Sequence, residues 1–151
     1  MTFLTVTLVQ INRDNWEEAI SLSVKEEQKT FMASNLYSIA EVQFLNDFQA
    51  MGVYHGEEMI GFTMFGIDPD DGNYWIYRLM VDEKFQGNGF GAQAVKKVIE
   101  YIKTNNESQI PFIMIGYQPN NQGARMTYKK AGFKETEVAP WGEQLATYPL
   151  L

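Results

Sequence analysis

The chemically richest stretch is 74–92, where an apolar run ending in Val81-Asp82 is followed by Gly87, Gly89 and Gly91 at alternating positions. Glycines spaced in this way let a backbone approach phosphate oxygens with no Cβ in between. Ala92, Val95, Val98, Ile99 and Ile102 then recur at helical spacing. A helix that opens here presents N–H groups without intrahelical partners, and the positive end of its dipole adds to their pull on an anion. One glycine suffices for an ordinary turn into a helix; three within five residues point to a phosphate cradle. Gly87, Gly89 and Ala92 also satisfy the dinucleotide pattern G-x-G-x-x-A. That pattern belongs to a parallel βαβ unit with an acidic residue about 20 positions further on. Here the next apolar segment ends in Gly116-Tyr117-Gln118, and three antiparallel strands are expected before the glycines. A nucleoside-triphosphate loop fails for want of Gly-Lys-Ser/Thr.

Some thirty residues beyond the glycines stands a second set, Asn121, Ala124 and Tyr128, followed by Gly132-Phe133. Asn121 and Tyr128 are seven positions apart, two helical turns on one face. Together with Gln86-x-x-Gly89-x-Gly91, this set resembles the two signatures of the GNAT N-acetyltransferase superfamily, Q/R-x-x-G-x-G/A and N-x-x-A-x-x-x-Y with a following G-F. The match extends over nearly the whole chain. The early stretch from Glu26-Glu27-Gln28 through Phe31-Met32-Ala33-Ser34-Asn35 to Tyr37-Ser38 looks like the bacterial spermidine and spermine acetyltransferase branch.

The resemblance implies acetyl-CoA as cosubstrate, no metal, and transfer of its acetyl group to an amine by direct attack in a ternary complex. Gln86, Gly87, Asn88, Gly89, Phe90, Gly91 and Ala92 would then hold the pyrophosphate. The backbone of Leu79, Met80 and Val81 would pair with the pantetheine arm, and an amide there would also polarise the thioester carbonyl. Asn121 would hydrogen-bond the pantetheine, with Ala124 and Lys130 on the same cofactor surface. Tyr128 would be the general acid that protonates the departing thiolate. Glu27, Glu41 and Tyr77 would face the amine. An alkylamine with a pKa near 10.4 must lose a proton before it attacks. Related polyamine enzymes often carry a glutamate where this chain has Tyr77, so Glu41, His55 or a water chain stand as alternative bases. Spermidine, spermine or another diamine is the expected acceptor; a protein N-terminus, a lysine, an aminoglycoside, or mere sensing of acetyl-CoA are the competing readings. A homodimer is common in the family.

These groups need a scaffold. Residues 3–9 suit a first strand, with Asp14 as N-cap of a helix bearing Trp16, Ala19, Ile20 and Leu22. A second helix, capped by Asn35 or Ser38, is expected to carry Ile39, Val42, Phe44, Leu45 and Phe48 and to leave at Gly52. Segments 51–55 and 59–67 read as a hairpin, and the turn at 68–73 leads into a strand over 74–82. The helix after the glycines, a strand at 111–117, a helix at 120–131 stopped by Gly132, and strands at 133–138 and 144–148 complete the order β-α-α-β-β-β-α-β-α-β-β. The fold class is α/β (α+β): a mixed, mostly antiparallel sheet of about seven strands with about four helices, and the resemblance implies that the sheet is splayed at the cofactor site.

A length of 151 residues suits one domain, 1–151. With 45% apolar and 21% charged residues, the chain has the composition of a soluble globular protein. No apolar run approaches a bilayer span and no leader is evident at the N-terminus, so membrane partners are not expected and a cytoplasmic location is the default. The absence of cysteine and a single histidine, His55, remove thiolate nucleophiles and sulfur or histidine-rich metal sites. A net charge of −7 disfavours nucleic acid. It hides an asymmetry: segment 84–134 carries eight basic residues against Glu100 and Glu107, so the excess acidity lies elsewhere. One part of the chain suits an anion and the remainder a cation.

Overall fold

A computed structural model describes residues 5–151. Its elements are β1 (Thr7–Gln10), α1 (Trp16–Ser21), α2 (Asn35–Val42), β2 (Phe48–His55), β3 (Glu58–Ile67), β4 (Tyr74–Val81), α3 (Phe90–Asn105), β5 (Phe112–Tyr117), α4 (Gln122–Ala131), β6 (Lys134–Val138) and β7 (Gln144–Pro149), with 3₁₀ turns at Glu26–Gln28 and Glu83–Phe85. The order of helices and strands is the one expected from the sequence. All seven strands join one sheet in the order β1-β2-β3-β4-β5-β7-β6. Every neighbouring pair is antiparallel except β4 and β5, whose crossover is α3.

Strand alternation sorts the apolar residues to two sides. Met51, Phe65, Ile76, Ile113 and Ile115 pack with Val95, Val98, Ile99 and Ile102 of α3 and with Tyr128 and Ala131 of α4. Phe48, Ala50, Phe62, Met64 and Met80 form a separate cluster with Ala19 of α1, against which Ile39 and Val42 of α2 pack. Covered on both sides, β3 is buried along nearly its whole length. No helix among the described residues is long and apolar enough to cross a membrane.

Several boundaries differ from expectation. The expected first strand is observed as Thr7–Gln10, and Phe3 and Leu4 lie outside the described residues. Asn15, not Asp14, is the N-cap of α1; its Oδ1 accepts from the Asn12 N–H at 2.8 Å and its Nδ2 donates to the Gln10 carbonyl at 3.0 Å. Ser34 caps α2 by accepting from the Tyr37 N–H at 3.1 Å. Asn35 is the first helical residue, and its Nδ2 donates to the Ala19 carbonyl at 2.9 Å. Helix α2 stops at Val42, and Phe48, expected on that helix, opens β2. Gly52 lies inside β2, paired with Phe62 of β3, where a Cβ would come within 2.9 Å of the Met59 methyl; it is a strand residue, not a helix exit. An apolar run that serves the end of a helix and the start of a strand has no single period.

Candidate active site

The parallel pairing of β4 with β5 extends only over Tyr74 with Ile113 and Trp75 with Met114. Beyond that point the strands separate, so β4 from Ile76 onward has no partner on its β5 side. Open α/β sheets receive ligands at such carboxyl ends, where neighbouring connections diverge. A cavity of about 600 Å³ occupies the gap. Its walls are Ile76 to Val81 of β4, the glycine turn, Gly116 and Tyr117 of β5, the first two turns of α4, and Val24, Gln28, Phe31, Met32 and Ala33 from the segment between α1 and α2.

The end of the cavity beneath α3 is built by backbone conformation. Gly87 and Gly89 have φ of 82° and 85°, the left-handed region that glycine enters without a Cβ clash, and Gly89 is the N-cap of α3. Gly89 has no side chain to cap the helix, so the first N–H groups of α3 remain available to an anion. Asp82 fixes the approach to this turn: its buried carboxylate accepts from the Ser23 N–H at 2.8 Å and the Lys84 N–H at 3.2 Å. Gln86 donates through Nε2 to the Val81 carbonyl at 2.9 Å and to Gln28 Oε1 at 2.9 Å, tying the 26–28 turn to the glycine segment. The Asn88 amide donates to the Phe85 carbonyl at 3.2 Å and shapes the turn from outside the cavity wall.

Opposite the glycines, Asn121 is the N-cap of α4 and its Oδ1 accepts from the Ala124 N–H at 3.1 Å. Two turns on, Tyr128 stacks on Tyr117 with planes 6° apart and meets Phe133 edge-on at 5.5 Å between centroids. Gly132, with φ of 106°, ends the helix and lets the Phe133 N–H bond back to the Tyr128 carbonyl at 3.0 Å. The Gly-Phe pair therefore sets the tyrosine's packing. Tyr128 is 9% exposed, and its hydroxyl makes no hydrogen bond among the described residues, yet it is not a sealed orphan because Tyr128 lines the cavity. Burial, and after it the neighbouring Tyr117, push its phenol above the ordinary value of 10.0, so the proton is retained. Burial and the hydrogen bond it donates to Glu135 at 2.8 Å push Tyr117 up to about 12.

A model of the acetyltransferase (GNAT) family matches residues 8–133. This chain belongs to the GNAT acetyltransferase family. Its cosubstrate is acetyl-CoA and its reaction an N-acyl transfer. Among curated proteins it is similar to the spermine/spermidine N(1)-acetyltransferase of Bacillus subtilis (strain 168), 23% identical over 137 residues, 87% of this chain and 89% of that one. Among solved structures it superposes on the aminoglycoside acetyltransferase AAC(6')-Ib in complex with coenzyme A, with a TM-score of 0.78, 16% identity, and 96% and 95% of the two chains covered. It also superposes on spermidine N-acetyltransferase from Vibrio cholerae in complex with CoA and spermine, with a TM-score of 0.72, 16% identity, and 95% and 93% covered. At such identities the superpositions establish a shared fold.

Of the GNAT site residues expected from the sequence, Leu79, Met80, Val81, Gln86, Gly87, Gly89, Phe90, Gly91, Ala92, Asn121, Ala124, Tyr128, Lys130 and Tyr77 all line the cavity. Asn88, Glu27 and Glu41 lie outside its wall. The register of β4 against β3 explains part of this: Met64 faces Arg78 and Phe65 faces Ile76, which makes Tyr77 a bulged extra residue. Tyr77 then packs at 4.3 Å on Phe48, and its hydroxyl donates to the buried Asp68 carboxylate. Burial first, and that bond second, push the Tyr77 phenol up. Arg78 reaches α2, where Nη2 lies 3.0 Å from Glu41 Oε1, so Glu41 is occupied by an ion pair. His55 is exposed at the end of β2 and packs against Phe90, but is not itself part of the cavity wall. The wall also includes Arg78, Gly116, Thr127 and Glu143, none of which belongs to either motif. Arg78 and Gly116 arrive through strand pairing, Glu143 through the segment leading into β7, and Thr127 stands one turn after Ala124 on the same face of α4. Among the described residues no group of three or more His, Asp or Glu side chains is placed to hold a metal.

Proposed function

We propose that this acetyltransferase moves the acetyl group of acetyl-CoA to a primary amine of a small polycation such as spermidine, spermine or another diamine, with both substrates bound at once. The observation that carries the reading is the gap between β4 and β5, with glycine-built N–H groups at one end and the unpartnered Tyr128 hydroxyl on its wall. The site fits the cofactor: the turn at Gly87 and Gly89 leaves room for phosphate, with open space where a Gly87 Cβ would stand, and the unpaired edge of β4 suits an extended amide-bearing arm. Acetyl-CoA supplies an acyl group on a thiol leaving group.

The chain's own residues divide the remaining work. N–H groups around Gly89, Phe90, Gly91 and Ala92 hold the pyrophosphate, and Gln86 braces that turn through Val81 and Gln28. Leu79, Met80 and Val81 offer backbone groups to the pantetheine, and Asn121, whose Oδ1 caps α4, keeps its amide N–H₂ for the same arm. Tyr128 retains a proton at its oxygen and gives it to the sulfur as charge builds there. With Glu41 held by Arg78 and the Tyr77 O–H directed to Asp68, a water chain is the path for the amine's proton. The polycationic acceptor is supported by the likeness to a spermine/spermidine acetyltransferase and by the net charge of −7, whose acidic excess lies outside the cofactor-facing segment. An aminoglycoside, also a polyamine, is favoured in turn by the likeness to AAC(6')-Ib.

The test is release of free thiol from acetyl-CoA with spermine, spermidine, shorter diamines, aminoglycosides and amino-terminal peptides. Turnover fastest with the aliphatic polyamines is the expected result. Turnover confined to aminoglycosides or peptides would replace the acceptor, and tight cofactor binding with no turnover for any amine would make the protein a sensor.

A further inference from the structure

We propose that Glu143, with Trp141 beside it, holds the non-reacting cationic nitrogen of the acceptor; this rests on the reading of the site as a polyamine acetyltransferase. Among the described residues, three charged side chains line the cavity: Arg78, Lys130 and Glu143. Arg78 is paired with Glu41, and Lys130 stands on α4. Among the described residues Glu143 is the sole carboxylate on the wall, and none of their ion pairs includes it.

Its position is built by the β6–β7 connection. Ala139 to Gly142 form a tight turn with Pro140 second and Gly142 fourth, closed by the Gly142 N–H on the Ala139 carbonyl at 2.8 Å. The Ala139 N–H then donates to the Glu143 carbonyl at 2.7 Å, which sets the start of β7 beside the end of β5. The carboxylate lies over Gly116, with Oε1 3.0 Å from where a Cβ there would stand, so the missing side chain makes its room. The Trp141 indole N–H donates to the same Oε1 at 2.7 Å, which orients the carboxylate and leaves its second oxygen open. An exposed indole next to an unpaired carboxylate is the chemistry that recognises an alkylammonium, by a charge-assisted hydrogen bond and by cation–π attraction. A nitrogen held on a carboxylate keeps its proton and is a poor nucleophile. The nitrogen at Glu143 is therefore the one that is not acetylated.

The test is calorimetric titration of spermine into the CoA-saturated protein, wild type against Glu143→Gln. Glutamine keeps an acceptor for the Trp141 N–H, so the turn survives and only the charge is lost. Spermine affinity should fall roughly ten-fold or more, as for removal of one member of a charge pair, with CoA affinity unchanged. In Trp141→Phe, which keeps an aromatic face, the loss should be smaller. Where amines turn over, Glu143→Gln should raise KM for spermidine but leave KM for n-hexylamine, which has no second nitrogen, and kcat within about two-fold. Equal spermine affinity in the two proteins, or no spermine binding to the wild type, would overturn the assignment. Wild-type turnover of amines alongside an unaltered variant sinks the role of Glu143 alone; absence of turnover with every amine sinks the enzymatic reading.

Discussion

The proposed acid chemistry of Tyr128 rests on a single oxygen, its hydroxyl. Its ring is fixed by Tyr117 and Phe133, whereas its hydroxyl is bonded to nothing among the described residues. Removing that oxygen should cost little packing. Tyr128→Phe is expected to lower kcat by about 10²-fold, the usual scale of general acid catalysis, with KM for acetyl-CoA and the melting temperature nearly unchanged. Steady-state kinetics and a thermal melt decide it: normal kcat with thiol departure rate-limiting would make the phenol structural, and a large fall in stability would make it a core residue. Asn121 and Tyr128 were legible in the sequence through their resemblance to the second GNAT signature, and their spacing of seven, two helical turns, is consistent with both standing on the cavity wall. Glu143, Gly116 and Arg78 were not, because their approach depends on pairing of β5 with β7 and on the bulge at Tyr77. Glu41 carried an acidic charge in the expected region, yet nothing in its neighbours along the chain announces the guanidinium that occupies it.

At the scale of elements, the glycine turn and the start of α3 act as a unit, and their glycines do different work. Gly89 has φ of 85°, so a β-branched residue there would strain the backbone by about 1–3 kcal/mol besides crowding the phosphates. Gly91 lies inside the first turn of α3, where a Cβ would meet the Thr127 methyl at an ordinary 3.4 Å. Gly91→Glu should therefore leave the fold intact while placing a negative charge at the anion site. Calorimetry should show CoA affinity reduced roughly 100-fold or more, since burying like charges together costs several kcal/mol, with the circular dichroism spectrum unchanged. Unaltered affinity would remove the pyrophosphate from this helix terminus. The unit was readable because strand, glycines and helical period follow one another directly. Segment 42–52 was misread for the opposite reason: Leu45 and Phe48 fit a helical period, and only pairing of Phe48 with Gly66 and of Gly52 with Phe62 shows that the strand has already begun.

For the whole molecule, the two sides of the sheet meet the gap through three tyrosines, Tyr77 on the α1–α2 side and Tyr117 and Tyr128 on the other, and all three phenols are pushed up. Burial is the leading cause in each, reinforced for Tyr77 by its bond to Asp68 and for Tyr117 by its bond to Glu135. The consequence for stability has a definite sign. In the unfolded chain these groups ionise near the ordinary 10.0, whereas in the folded chain they hold their protons longer, up to about 12 for Tyr117. Above pH 10 the unfolded state thus binds fewer protons than the folded one, and stability falls as pH rises. The contribution is fully present below the unfolded value and is lost progressively toward the folded values. Urea unfolding followed across this alkaline range should show a midpoint that holds steady up to about pH 10 and then declines. The near-ultraviolet tyrosinate absorbance of the folded protein should lag behind that of the unfolded chain. Tyr74, at the start of β4, is pushed up by burial as well and adds to the same linkage; Tyr128→Phe takes one of these groups out, so its midpoint should fall less steeply with pH than that of the wild type. A wild-type midpoint that does not decline, or a slope unaltered in the variant, would mean that the phenol beside the gap is solvated like a surface tyrosine. A buried, proton-retaining acid in the cleft would then have no physical basis.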